Sequence, residues 1–166
     1  MENLINCLKN SGYSNLNNLQ QHIRMIILNM IIDKGSSVSY DEIRQKCIRE
    51  GIDISLTNLT INKFEKEQYL VSEDEMVLFM YPISSKKTNH RVKLADGREF
   101  YAMCAIDSLG SSITFDQDIE INSKCMVTQK EINIKIKNNK ISYVNNKDIY
   151  VLHVNIDNYS NWASSC

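Results

Sequence analysis

Proline is almost missing from this sequence, with one residue at position 82, and glycine is sparse, with five. A chain so poor in the two strongest structure breakers is neither a collagen-like repeat nor a disordered linker. Its 43% hydrophobic content over 166 residues is ample for a core, within one domain or two small ones. Net charge is also lacking: 19 Lys and Arg stand against 20 Asp and Glu, leaving −1. No global field therefore recruits nucleic acid or an anionic membrane. There is no long apolar run, since the most apolar stretch, residues 25–32, is far too short to span a bilayer. The first ten residues carry polar side chains throughout, unlike a signal peptide. The expectation is a soluble, cytoplasmic protein. Paired cysteines are absent too. Cys7, Cys47, Cys104, Cys125 and Cys166 are odd in number, widely spaced and without a CxxC, which excludes a disulfide framework or zinc ribbon and leaves free thiols. No phosphate-binding glycine loop, Ser-His-Asp arrangement or HExxH helix is present.

What is present falls into two halves. Leu4, Ile5 and Leu8 suggest a short helix over residues 3–9, ended by Gly12. A longer helical period runs over residues 15–34, with Gly35 as its C-cap. Ser39 followed by Glu42 is a capping box opening a helix to about Glu50. A third helix starts at Ser55, with Leu56, Leu59, Ile61 and Phe64 as its apolar positions. Residues 69–81 read as two strands about an acidic turn at 72–75. Three helices and a hairpin outline a winged-helix-like part over residues 1–81. Residues 1–80 hold eight Lys and Arg against eleven Asp and Glu, and the third helix has only Lys63 and Lys66 as cations. A DNA reader needs a basic face, so the better reading is a helical cap packed on the second half.

Pro82 and the polar residues 84–89 mark a joint, and strands follow. They are expected at 90–94, 98–101, 119–123, 131–137, 141–144 and 149–156, with turns at 95–97, 116–117 and 138–139. Ile132, Ile134 and Ile136 give the clearest period-two signal. The fold class is α+β: the winged-helix-like helical part, then over residues 82–166 a mixed, mainly antiparallel sheet with a short active-site helix against it.

The chemistry centres on residues 99–112, EFYAMCAIDSLGSS. Cys104 stands three residues ahead of Asp107 among Ala102, Met103, Ala105, Ile106 and Leu109. If this stretch is helical, the two share one face. A carboxylate in apolar surroundings tends to hold its proton, and a thiolate is both a nucleophile and a soft metal ligand. A lone Cys104 reads equally as a small buried hydrophobe, and Asp107 as a helix-face charge.

The run YPISSKKTNHRVKLADGREFYAMCAIDSLG, residues 81–110, with SKC at 123–125, closely resembles the organomercurial (alkylmercury) lyases, the MerB family. FYAMCAIDSLG is its most specific part. The resemblance implies protonolysis of a carbon–mercury bond, giving a hydrocarbon and Hg(II). Cys104 and Cys166 would be the mercury-binding, catalytic thiols, and Asp107 the proton carrier that also approaches the metal. No organic cofactor is implied. The partners are the organomercurial substrate and, as Hg(II) acceptors, cellular thiols or a mercuric reductase; no nucleic acid or membrane is involved, and the protein is a monomer or homodimer. Cys125 matches a structural cysteine of the family. The separations of 21 residues from Cys104 to Cys125 and 41 from Cys125 to Cys166 accord with it. The family pattern is expected to continue past Cys166, so the alternative is a truncated, catalytically impaired relative that binds mercury or another soft metal. Cys7 and Cys47 read as core or surface thiols. His90 and His153 read as packed histidines, since neither has a second ligand at metal spacing. Phe100 and Tyr101 are expected to wall the pocket, with Trp162 near Cys166.

Overall fold

The computed structural model describes residues 15–146 and 148–151. Among the described residues, helices α1 (Asn18–Lys34), α2 (Tyr40–Arg49) and α3 (Ile54–Lys66) precede the strands β1 (Leu70–Glu73), β2 (Met76–Met80), β3 (Ile83–Ser84), β4 (His90–Leu94) and β5 (Glu99–Ala102). Helix α4 (Ala105–Phe115) and strands β6 (Ile119–Lys124), β7 (Glu131–Lys137) and β8 (Lys140–Val144) complete the order.

Local chemistry sets most of these boundaries. Asn17 caps α1 through a reciprocal bond with Gln20, and Gly35 ends it at φ 67°, the left-handed region in which a Cβ is unwelcome. Ser39 and Glu42 form the expected capping box of α2. The start of α3 differs from expectation: Asp53 is its cap, accepting from the N–H groups of Ser55 and Leu56. Its buried face differs as well. Thr57, Thr60, Ile61 and Phe64 point inward, whereas Leu56 and Leu59 are 46% and 66% exposed. The threonine hydroxyls avoid a burial penalty by donating to the carbonyls of Asp53 and Leu56 one turn back. The Tyr40 hydroxyl bonds Glu65 and Ser72, tying α2, α3 and β1 into one unit. Burial and the Glu65 carboxylate drive the Tyr40 pKa upward.

All eight strands join one sheet in the order β1-β2-β3-β5-β4-β6-β7-β8. Every pairing among them is antiparallel, so the parallel component of the expected mixed sheet is not found among the described residues. The two-residue strand β3 is the link: it pairs with β2 on one side and β5 on the other, carrying the sheet past the Tyr81–Pro82 peptide, which is cis. The β7–β8 hairpin turns at Asn138 and Asn139, both at positive φ, as a two-residue hairpin requires.

Alternation divides the sheet's faces. Val92, Leu94, Phe100, Ala102, Ile119, Ile121 and Ile136 are buried, and α4 packs over β4, β5 and β6 with Phe115 against Phe100 at 5.4 Å between ring centroids. The other face carries Arg91, Lys93, Glu99, Glu120 and Lys135, including the Arg91–Glu99 and Lys135–Glu120 ion pairs. Tyr101 belongs to that second face, where it lines a cleft with Ile31, Ile32 and Gly35. It therefore lies across the sheet from α4, unlike Phe100. Ile149, Tyr150 and Val151 form no strand. The rest of the strand expected at 149–156 lies outside the described residues, as does the helix expected at 3–9. No described helix is long and apolar enough to cross a membrane.

The burial of α3 is directly testable. Phe64→Ala should cost about 3–5 kcal/mol in urea unfolding, as for a fully buried aromatic. Leu59→Ala should stay within about 0.5 kcal/mol, as for a surface change.

Candidate active site

Helix α4 begins at Ala105, so Cys104 is not a helical residue as expected. It is the N-cap, extended at φ −142°, ψ 179°. Asp107 is then the third residue of the helix. A carboxylate at this position ordinarily reaches back to the cap N–H in a capping box, and Asp107 does so, accepting from the backbone N–H of Cys104. It also accepts from the Cys104 thiol. The sulfur and the acid are therefore in hydrogen-bond contact, the thiol half-buried and the carboxyl 4% exposed.

Asp107 sits in a dry setting. Ser108, Leu109, Gly110, Ser111 and Ser112, which follow it on α4, are all buried as well. Two of these hydroxyls are already committed, Ser108 Oγ to the Ala105 carbonyl at 2.7 Å and Ser111 Oγ to the Asp107 carbonyl at 2.8 Å. Burial pushes the Asp107 pKa from the ordinary carboxylate range to about 7, with the two Cys104 hydrogen bonds offsetting only part of the rise. Near neutral pH the group thus exchanges a proton readily in either direction.

The approach to Cys104 is fixed from two sides. Thr88 Oγ1 donates to the carbonyl of Ala102 at 2.5 Å, and the Met103 N–H donates to the carbonyl of Pro82 at 3.3 Å. His90 pairs in register with Ala102 and Ser123, its Nδ1 2.9 Å from Ser123 Oγ, and burial lowers its pKa. It is a packed, neutral histidine.

Cys166, the second expected thiol, lies outside the described residues, as do Cys7, His153 and Trp162. The expected two-sulfur arrangement is therefore represented by Cys104 alone. Among the described residues no group of three or more His, Cys, Asp or Glu side chains could hold a metal ion. Cys47 is a core thiol, with its pKa raised by burial. Cys125 opens the turn after β6. Its sulfur accepts from the Thr128 hydroxyl and from the N–H groups of Thr128 and Val127, which lowers its pKa.

Sequence reading did not single out Arg24, Thr88 or the carbonyl of Pro82. Arg24 left one signal: a cation directly beside the most apolar run of the chain, on a helix whose neighbours Ile23, Ile26, Ile27 and Leu28 are all buried.

The raised Asp107 pKa makes stability depend on pH with a defined sign. The folded state holds a proton that the unfolded state releases above about pH 4, so folding weakens as pH rises from about 4 to 7 and the deficit persists above that. Asp107→Asn should remove this dependence, matching the parent near pH 4 and exceeding it at pH 8 by an amount on the order of 4 kcal/mol, read from urea unfolding at both pH values.

The sequence profile described as MerB, alkylmercury lyase, matches residues 83–166. That half of the chain includes β3 to β8, α4, Cys104 and Asp107. No curated protein matches the chain. Among solved structures it is similar to one described as the mercury-bound form of MerB2, with a TM-score of 0.60 and 22% sequence identity over 87% of this chain. The alignment covers 66% of that structure, so the chain spans about two thirds of its length. At this identity the likeness speaks for a common fold. Taken with the profile match across the half that bears the thiol and the buried acid, it establishes that the chain belongs to the alkylmercury lyase (MerB) family.

Proposed function

We propose that this protein cleaves carbon–mercury bonds by protonolysis, with Cys104 as a mercury-binding nucleophile and Asp107 as the proton carrier. The observation that carries the reading is the hydrogen bond from the Cys104 thiol to a buried carboxyl group of pKa about 7. Family membership supports the reaction class.

In the proposed sequence, Asp107 takes the thiol proton as Cys104 sulfur attacks the mercury of R–Hg–X and X⁻ departs. Cys166 supplies the second sulfur and its own proton, which neutralises X⁻ as HX. Hg(II) is soft and favours thiolate ligands, and a second sulfur raises electron density on the mercury-bound carbon. Asp107 then protonates that carbon, releasing R–H. Hg(II) remains on two sulfurs until external thiols or a reductase remove it. Two thiol protons are consumed, one leaving as R–H and one as HX, so the balance closes without an added oxidant or reductant. The dry wall around Asp107 serves this step, because an acid open to water would sit ionised at neutral pH.

The pair is competent when it holds a single proton. With both groups protonated no thiolate forms, and with both ionised nothing remains to deliver to carbon. A bell-shaped profile of kcat/KM follows, whose two limbs belong to the coupled pair.

The test is release of methane from methylmercury, or benzene from phenylmercury, in excess thiol, measured by gas chromatography. Cys104→Ser should abolish release. Asp107→Asn should lower it by about 100-fold or more, as for loss of a general acid. Turnover unchanged in Cys104→Ser rules the assignment out. Mercury bound stoichiometrically by the parent, with no hydrocarbon released, would replace the lyase reading with a mercury-holding role.

A further inference from the structure

Arg24 is the buried cation of the helical part. It lies on α1 among Ile23, Ile26, Ile27 and Leu28, and only 5% of its surface is exposed. Withdrawing a guanidinium from water costs several kcal/mol unless partners recover it, and an apolar residue would serve packing better at this place. The partners are specific. Nη2 donates to the carbonyl of Tyr81 at 3.0 Å, and the guanidinium lies 5.8 Å from the centroid of the Tyr81 ring. Nη1 donates to Gln21 Oε1 at 3.4 Å.

Tyr81 is one peptide from Pro82, whose carbonyl receives the Met103 N–H at 3.3 Å. Met103 immediately precedes Cys104. Beyond Pro82, β3 continues the same contact, Ile83 pairing with Ala102 and Ser84 with Tyr101. One short path of hydrogen bonds and covalent links thus runs from α1 to the residue before the reactive thiol. The opposite side of the bend is held independently by Thr88 on Ala102.

We propose that Arg24 is a positioning residue for Cys104: by holding the Tyr81–Pro82 segment to α1, it fixes the Met103 backbone and so the hydrogen-bond contact between the Cys104 thiol and Asp107. This assigns the helical part a task at the site of the second half. It concerns the thiol–carboxyl pair itself, and it stands whether or not that pair cleaves carbon–mercury bonds.

The test reads the thiol directly, in the full chain, without mercury. Iodoacetamide alkylation is followed from pH 5 to 9 by peptide mass spectrometry, which reports Cys104 and Cys125 separately in each sample. Cys125 lies in the turn after β6, held by Val127 and Thr128, and serves as the internal control. In Arg24→Met the Cys104 rate should change about fivefold, the equivalent of one hydrogen bond. The pH dependence of that rate should change with it, with Cys125 unaffected. Arg24→Lys keeps the charge and one donor and should fall between parent and Arg24→Met. An unchanged Cys104 profile in folded Arg24→Met overturns the proposal, as does a parallel change at Cys125, which signals general loosening. If Arg24→Met lacks a cooperative melt, Arg24→Lys is read by the same criteria. If both fail to fold, Arg24 is a stability residue and the proposal falls.

Discussion

The site depends on an acid kept out of water. Asp107 occupies the first turn of α4, where the helix dipole favours a negative charge by about 0.3–1 kcal/mol, and it accepts two hydrogen bonds from Cys104 that favour the same form. Burial nevertheless wins, carrying the pKa to about 7. A shift of that size exceeds what a dipole or a single exposed hydrogen bond supplies. The consequence reaches beyond one residue. Keeping the carboxyl dry requires cover, and Asp107 lies in a run of buried residues, 107–112, on the helix that packs over β4, β5 and β6. It also requires a platform, which the inward residues of β4, β5 and β6 provide together with the Phe100–Phe115 contact.

That platform is anchored in both halves of the chain. Strand β3 has two residues, yet it carries the sheet from the helical part into the part that bears the thiol. Ser39 forms an isolated bridge to Met76, and Arg98 reaches Asn29 on α1 at 2.7 Å. The helices are thus joined to the sheet at several independent places.

Features determined by near neighbours were legible in the sequence. The Ser39–Glu42 capping box, Gly35, the Asn138–Asn139 turn and the limits of β4 and β7 depend on residues within a turn or two, and pattern alone locates them. Less legible were choices set by distant packing. Asp53 rather than Ser55 caps α3, and Thr57 and Thr60 rather than Leu56 and Leu59 face the core. Hydroxyls that return to the backbone can be buried cheaply, and periodicity counted on apolar residues overlooks them. Strand direction was ambiguous for the same reason, since alternation fixes a face but not a partner. Arg24 is the extreme case. Its importance rests on Tyr81, 57 residues away, and nothing local announces it except a charge where none belongs.

The placement of Cys104 carries one further step. Two residues three apart on a helix surface are neighbours at about 5–6 Å between Cβ atoms, close enough to share a face but not assured of contact. At the N-cap the geometry changes, because the third residue's side chain turns back toward the cap. A cysteine there meets the Asp107 carboxyl directly. It does so in the position where Ser, Thr, Asp or Asn would stabilise the helix by about 1 kcal/mol, and it makes no side-chain cap bond of its own. The helix gives up a cap so that a thiol and a protonatable acid can touch. That exchange brings α4 no cap bond, and the proposed chemistry at the sulfur would account for it.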